Sequence, residues 1–341
     1  MIGNTKIVLA AHPTGEIRDE DFALQKMDTV PPKEGEALLE TIFLSIDPYM
    51  RNRMNDQRTH PNAVSIGETM VGGAVSQVLE SCSPELHPGQ LVIGDTGWQS
   101  HPTVPVSALR VVDPSVAPIS AFLGVLGMPG LTAYGGMTLI GSPAAGETVV
   151  VSAASGAVGS LASQIGKLAQ CRVVGIAGGT AKCEYARGEL GLDDCIDYRA
   201  QDFATALADA CPNGVDVYFD NVGGSVFETV FGLLNEGARV PVCGAIAYYN
   251  GDGHEQGCNP LPNILRNLIT KRITLRGFMA ADFEADRERF MSVVAGWVKD
   301  GRIRYREDVS KGLASAPSVL RGVLQGRNFG KAIVQVREWQ P

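Results

Sequence analysis

Apolar positions along the chain change their rhythm near residue 130. From about Gly130, short apolar runs alternate with helical patterns. Thr148–Ala153 is apolar and rich in β-branched residues, as a strand buried on both faces requires. Further strands are predicted at Arg172–Ala177, Cys195–Asp197, Val215–Phe219, Ala238–Cys243 and Ile273–Phe278. Between the first two, Val158, Leu161, Ala162, Ile165, Leu168 and Ala169 fall on one helical face. Phe283–Lys299 reads as one helix, with Phe290, Val293, Val294 and Trp297 on a common face. Such alternation predicts an α/β fold, a doubly wound parallel sheet with right-handed crossovers. Residues 1 to about 125 differ. Glu36–Ser45, Met70–Leu79 and Leu91–Gly94 are short strands punctuated by glycine and proline, which predicts a small antiparallel barrel or sandwich. Gly330–Val336 reads as a last strand returning to that first domain. There are no internal repeats and no low-complexity segments.

Composition narrows the class. At 341 residues the chain is long for one core, so two domains are expected. A hydrophobic content of 45% and a mean hydropathy of +0.04 suit a soluble globular protein. A net charge of −8 and the lack of a basic stripe argue against nucleic-acid binding. No apolar run approaches the ~20 residues that span a bilayer, and no cleavage-type signal peptide is visible. No membrane partner and a cytoplasmic location are therefore expected. The seven cysteines (82, 171, 183, 195, 211, 243 and 258) are odd in number and contain no C-x-x-C. Reduced, mostly buried thiols are expected rather than disulfides or a thiolate zinc site.

Candidate chemistry begins after the strand Thr148–Ala153. The turn Ser155-Gly156-Ala157-Val158-Gly159 leads into a helix. Strand, glycine turn and helix start form a diphosphate cradle, because backbone N–H groups and the helix dipole meet the anion. The pattern is A-x-G-x-x-G, with Ala154 at the first glycine position, so an ordinary βα turn is the alternative. The end of the next strand bears on the cofactor. It reads Ile176-Ala177-Gly178-Gly179-Thr180, with no carboxylate before Glu184 and with Lys182 close by. An acid there would hold a ribose 2′-hydroxyl. A cation without an acid suits the 2′-phosphate of NADP. A solvated surface lysine is the bland alternative for Lys182.

Six strings then carry a resemblance: Ser45–Met54 (SIDPYMRNRM), Gly127–Tyr134 (GMPGLTAY), Ser152–Gly159 (SAASGAVG), Tyr218–Gly224 (YFDNVGG), Cys243–Asn250 (CGAIAYYN) and Gly326–Lys331 (GRNFGK). In these residues the chain resembles the zinc-independent medium-chain dehydrogenase/reductases. The likeness is to the branch of prostaglandin reductases, leukotriene B4 12-hydroxydehydrogenases, plant enone double-bond reductases and bacterial curcumin reductases. It covers essentially the whole chain. It implies a GroES-like β-barrel substrate domain, 1–125 plus 311–341, and an inserted Rossmann NADP-binding domain, 126–310. The implied reaction is NADPH-dependent hydride transfer to the β-carbon of an α,β-unsaturated ketone or aldehyde. By the same resemblance, Gly156, Ala157, Val158 and Gly159 hold the pyrophosphate, and Gly179, Lys182 and Tyr198 the 2′-phosphate, with Arg199 a nearby cation. Asn221, Cys243, Ile246, Tyr249, Phe278, Met279 and Asn328 line the ribose and nicotinamide, with a turn Asn and a core Phe as ordinary alternatives. A homodimer through the Rossmann sheet is implied as well.

Zinc-dependent relatives carry a Cys where this chain reads Ile46-Asp47-Pro48-Tyr49, and G-H-E where it reads Gly67-Glu68-Thr69. The five histidines (12, 60, 87, 101 and 254) show no ligand spacing, so no metal is expected. Without zinc, a developing enolate needs hydrogen-bond donors, and a phenol can supply one. Tyr249 is preferred over the adjacent Tyr248, and Tyr49 is a substrate-side contact; packing tyrosines are the alternative. Substrate choice is expected from the loops Asn52–Ala63 and Gly251–Pro262. A quinone reductase and a non-catalytic NADPH-binding protein are the competing functions.

Overall fold

A computed structural model describes residues 2–56, 62–251 and 260–339. Most of Gly251–Pro262 and part of Asn52–Ala63 lie outside the described residues. Fifteen strands are described: β1 (Gly3–Leu9), β2 (Phe22–Asp28), β3 (Glu36–Ser45), β4 (Gly73–Ser81), β5 (Leu91–Asp95), β6 (Thr103–Pro105), β7 (Arg110–Val111), β8 (Thr148–Ser152), β9 (Arg172–Ala177), β10 (Asp194–Asp197), β11 (Val215–Phe219), β12 (Leu234–Val242), β13 (Thr274–Gly277), β14 (Glu307–Lys311) and β15 (Lys331–Gln335). The chain divides into two units. The first is Met1–Gly124, Tyr249–Gly251 and Glu307–Pro341; the second is Val125–Tyr248 and Asp252–Arg306.

In the first unit a sheet runs in the order β14-β15-β3-β4-β5-β7, with β6 on β3, and β1 pairs with β2 antiparallel. The pair β14–β15 is parallel, whereas β15–β3 and β3–β4 are antiparallel. One face buries Leu44, Ile46, Met50, Met70, Trp98 and Val334 in a single cluster. The β1–β2 pair was invisible to patterning. β2 is partly or fully exposed along its length, so its sequence carries no core-facing alternation.

The second unit holds a six-stranded sheet in the order β10-β9-β8-β11-β12-β13, parallel throughout. β8 is buried at every position. The order reverses between β8 and β11, the switch point at whose carboxyl ends ligands bind in such sheets. Four helices matter here: α1 (Met50–Arg53) in the first unit, and α2 (Met128–Gly135), α3 (Gly159–Leu168) and α4 (Thr180–Gly188) in the second. α3 is buried all along Gly159–Gly166, not on one stripe only.

Three expected elements differ most, the first being β4, which runs over Gly73–Ser81 and not Met70–Leu79. The helix expected over Phe283–Lys299 starts at Arg287, after a 3₁₀ segment Ala280–Asp286 broken at Phe283. There the ring is drawn into the core: a Cβ on Gly135 would lie 2.1 Å from it. β12 begins four residues before Ala238, because its polar start Leu234–Gly237 contains a register shift against β11 and a positive-φ Gly237.

Candidate functional site

The turn after β8 is shaped by two residues of opposite kind. Ala153 leaves the strand with φ +51°, a left-handed conformation that costs a non-glycine residue about 1–2 kcal/mol. Its carbonyl then accepts the Gly156 N–H at 2.9 Å. That same carbonyl blocks any side chain at Gly159, where a Cβ would come within 2.3 Å of it. A Cβ on Gly156 would come to 3.2 Å of Ala153 O. Ala154, at the first glycine position, is fully buried and donates its N–H to Ile176 O at 3.0 Å. The strand can therefore turn sharply into α3, leaving Gly156, Ala157 and Val158 partly accessible at the positive end of the helix. The geometry fits a pyrophosphate.

At the end of β9, Tyr198 and Arg199 close on Gly178. A Cβ on Gly178 would lie 2.9 Å from the Tyr198 ring, 3.2 Å from its hydroxyl and 3.1 Å from Arg199 Nε. The Arg199 guanidinium sits 5.5 Å from the Tyr198 ring centroid, a cation–π pair. Gly179 has φ +93°, and Lys182 follows on the first turn of α4. One organiser was missed by sequence reasoning. Asp197 accepts the N–H of Gly179 at 2.9 Å and of Arg199 at 3.0 Å, and these bonds hold its carboxyl below the ordinary range. An acid is thus present, but its Oδ1 is committed to backbone amides, and the Arg199 cation stands beside it.

The carboxyl ends of β8, β11 and β12 are tied together by Asp220, which is 1% exposed. Asp220 Oδ1 accepts from Ser152 Oγ at 2.9 Å, from the Tyr218 hydroxyl at 2.7 Å and from Val222 N–H at 3.0 Å. Gly223 N–H reaches both carboxylate oxygens. Burial, then the Asp220 charge, push the Tyr218 phenol well above its ordinary value. Asn221 faces inward: its Nδ2 donates to Ser152 O at 2.7 Å, and its Oδ1 accepts from Cys243 Sγ at 3.0 Å. Burial followed by Asp220 likewise raises the Cys243 thiol. Asn221 and Cys243 thus shape the sheet edge by holding each other. Ile246 is half-buried in a 3₁₀ turn through Tyr248. The Phe278 ring is buried against Phe219 and Phe283, whereas Met279 is 69% exposed.

In the first unit, Tyr49 is the residue from which α1 starts. Its phenol is half-buried, and burial, then the charges of Asp47 and Asp95, raise it far above the ordinary value. Two neighbours missed by sequence reasoning fix this turn. Lys331 Nζ donates to Asp47 Oδ1 at 2.7 Å and to Ile46 O at 3.0 Å, while Ser45 Oγ donates to Asp47 Oδ2. Arg51 donates to Pro13 O and Gly15 O at 3.3 and 2.9 Å. Gly15 in turn lies beside Asn250, since a Cβ there would be 3.8 Å from Asn250 O. Asn250 adjoins Tyr249, which is half-buried; Tyr248 is exposed and accepts Gly224 N–H at 3.0 Å. Asn328 Nδ2 donates to Gly330 O at 2.8 Å. Two of the missed organisers, Asp220 and Lys331, stand inside the matched strings as polar residues bordering an apolar run, the one signal that could have found them.

Comparison with known proteins gives these features a context. Residues 5–112 match a family model described as the N-terminal domain of oxidoreductase, and 157–296 one described as zinc-binding dehydrogenase. The chain is 46% identical over 334 residues to the NADPH-dependent curcumin reductase of Escherichia coli (strain K12), covering 98% of this chain and 97% of that one. It is 37% identical over 341 residues to the 2-alkenal reductase (NADP(+)-dependent) of Nicotiana tabacum, covering 98% of each. The crystal structure of CurA in complex with NADPH from Vibrio vulnificus superposes with a TM-score of 0.94 at 45% identity, over 98% of this chain and 99% of that one. With its Rossmann-type sheet, its glycine cradle and this end-to-end similarity, the chain belongs to the medium-chain dehydrogenase/reductases, in the branch of the curcumin, 2-alkenal and prostaglandin reductases.

Proposed function

We infer that this protein reduces the carbon–carbon double bond of α,β-unsaturated ketones and aldehydes with NADPH. The observation that carries the reading is end-to-end similarity to NADPH-dependent reductases, in a chain that keeps the cradle a pyrophosphate needs. When bound, NADPH supplies the hydride that adds to the β-carbon. The protein's own residues bind and orient. The turn Gly156–Gly159 takes the pyrophosphate against the helix dipole. Gly179, Lys182, Tyr198 and Arg199 take the 2′-phosphate by charge and room. The backbone of Asn221–Gly224 and Cys243–Ile246, with Phe278 and Met279, borders the ribose and nicotinamide.

Hydride addition leaves an enolate, and the product forms when a proton joins the α-carbon. A phenol that stays protonated can donate a hydrogen bond to the enolate oxygen as charge develops there. Tyr249 takes that role, with Tyr49 a second donor on the substrate side. The same burial and acidic neighbours that raise the Tyr49 phenol keep it a donor at any working pH. Such chemistry needs no zinc, in keeping with Ile46-Asp47-Pro48-Tyr49 and Gly67-Glu68-Thr69 standing where zinc-dependent relatives carry a Cys and G-H-E.

We further propose a homodimer in which β13 pairs with its copy. Among the described residues β13 ends the sheet, is exposed at all four positions and pairs on one side only. No helix among the described residues is long and apolar enough to cross a membrane, and we propose a cytoplasmic location.

The deciding assay is NADPH oxidation with an enone such as benzalacetone, with product analysis, repeated with EDTA and with NADH. Formation of the saturated ketone, insensitive to chelator and weaker with NADH, is expected. Turnover of quinones but not enones would favour the quinone reductase. NADPH binding without turnover of either would defeat the enzymatic reading, and a monomer by light scattering would defeat the dimer.

A further inference from the structure

The buried pair Lys331–Asp47 has no role in the reaction as described. Both residues are nearly inaccessible, at 3% and 7% exposure, and they are 284 positions apart. A buried ion pair is poor evidence for stability: replacing one with well-packed apolar residues is often neutral or favourable. What such a pair does supply is a single geometry, because each charge tolerates only the arrangement in which it is matched. Here Asp47 is held at every point. Lys331 takes one carboxylate oxygen and Ser45 the other. Its carbonyl accepts Met50 N–H at 3.1 Å, and its N–H meets Met50 Sδ at 3.5 Å. Pro48, with its fixed φ, is then the one residue between this anchor and Tyr49. The Lys331 stem is confined too, since a Cβ on Gly124 would lie 3.3 Å from its Cγ. A second carboxyl, Glu307, stands beside Lys331 in register on β14.

We propose that Lys331 is a positioning residue for the reductase reaction: by pinning Asp47 it sets the direction in which Tyr49 presents its hydroxyl to the substrate carbonyl. The proposal rests on the reading of Tyr49 as a substrate-side donor. It gives the strand β15, which arrives from the far end of the sequence, a part in substrate recognition.

The test is a double-mutant cycle between Lys331→Met and Tyr49→Phe, with enone KM, kcat and the NADPH dissociation constant measured for each variant. Lys331→Met is expected to raise the enone KM at least tenfold, with NADPH affinity within twofold of the parent. Loss of folded protein alone would lower kcat at unchanged KM. In the Tyr49→Phe background the same substitution should change the enone KM by no more than twofold. Additive effects, or an unchanged KM in Lys331→Met, would overturn the proposal while leaving Tyr49 in place. A silent Tyr49→Phe would instead remove Tyr49 from the reaction, and the proposal with it. Should Lys331→Met not fold, the charge-neutral pair Lys331→Met/Asp47→Asn carries the same cycle and the same outcomes.

Discussion

The two outer glycines of the cradle should fail in different ways. At Gly159 a methyl group would sit 2.3 Å from Ala153 O, 2.8 Å from Ala153 C and 3.0 Å from Ala154 Cα. All three are backbone atoms of a turn already strained at Ala153, so none can rotate aside. Overpacking of this kind costs about 1–3 kcal/mol. For a body this size 2 kcal/mol lowers Tm by roughly 4–8 °C. At Gly156 the nearest atom is 3.2 Å away, a clash that a few tenths of an ångström relieve. There the methyl group would intrude on the bound pyrophosphate instead. Gly159→Ala is therefore expected to melt early without cofactor, and Gly156→Ala at the parental temperature. In the second variant NADPH affinity should fall tenfold or more. A cofactor held at a hundredfold its Kd stabilises by about 2.7 kcal/mol, and after a tenfold weakening by about 1.4 kcal/mol. Differential scanning fluorimetry with and without NADPH reads both effects. A Gly159→Ala protein that melts normally and loses only cofactor affinity would refute the steric argument.

Three further outcomes are expected. Lys182→Ala should raise the KM for NADPH by one to two decades and leave that for NADH nearly unchanged, since a charge-assisted contact is worth about 1.5–3 kcal/mol; equal effects on both cofactors would dismiss the 2′-phosphate role. Tyr249→Phe should slow enone turnover with NADPH affinity intact, and a parental rate would remove Tyr249 from the reaction. Glu147→Gln should lose stability in a manner set by pH. Arg239 grips both carboxylate oxygens, at 2.9 and 2.6 Å, and this bonding holds the Glu147 carboxyl below its ordinary range. A lowered folded value contributes stability above the unfolded value of about 4.3 and loses it as pH falls through the folded one. Urea melts should show a deficit of about 1.5 kcal/mol at pH 7 that narrows as the pH falls below the unfolded value of about 4.3; a deficit that does not narrow in acid would contradict the assignment.

Much of the nucleotide-binding unit was legible in the sequence, because its signals are local. β9 and β11 fall on the predicted residues, and a strand buried on both faces, such as β8, must be apolar at every position. The glycine turn was equally readable, whereas the acid that β10 brings to the end of β9, Asp197, was not. The membership drawn from motifs such as SIDPYMRNRM and YFDNVGG agrees with the comparisons. Other features had no local signature. Nothing in SAASG marks Ala153 as left-handed, yet its φ is +51° and its carbonyl accepts the Gly156 N–H. Asn221 reads as a turn residue; the pairing of β8 with β11 brings Ser152 O to one end of it, and the pairing of β12 with β11 brings Cys243 Sγ to the other. Asp197 reads as the end of a strand until β10 pairs with β9 and brings it to the amide of Gly179.

By itself, then, the sequence determined the periodicities, the backbone positions that admit no side chain, and the class of cofactor charge that can be met. Those properties belong to residues a few positions apart. Tertiary structure alone decided which polar groups are buried together, as with Asp220 beneath the sheet edge and Lys331 against Asp47. A buried charge is tolerated only where its partner arrives, and the partner's arrival depends on strand order across the fold, not on neighbours along the chain.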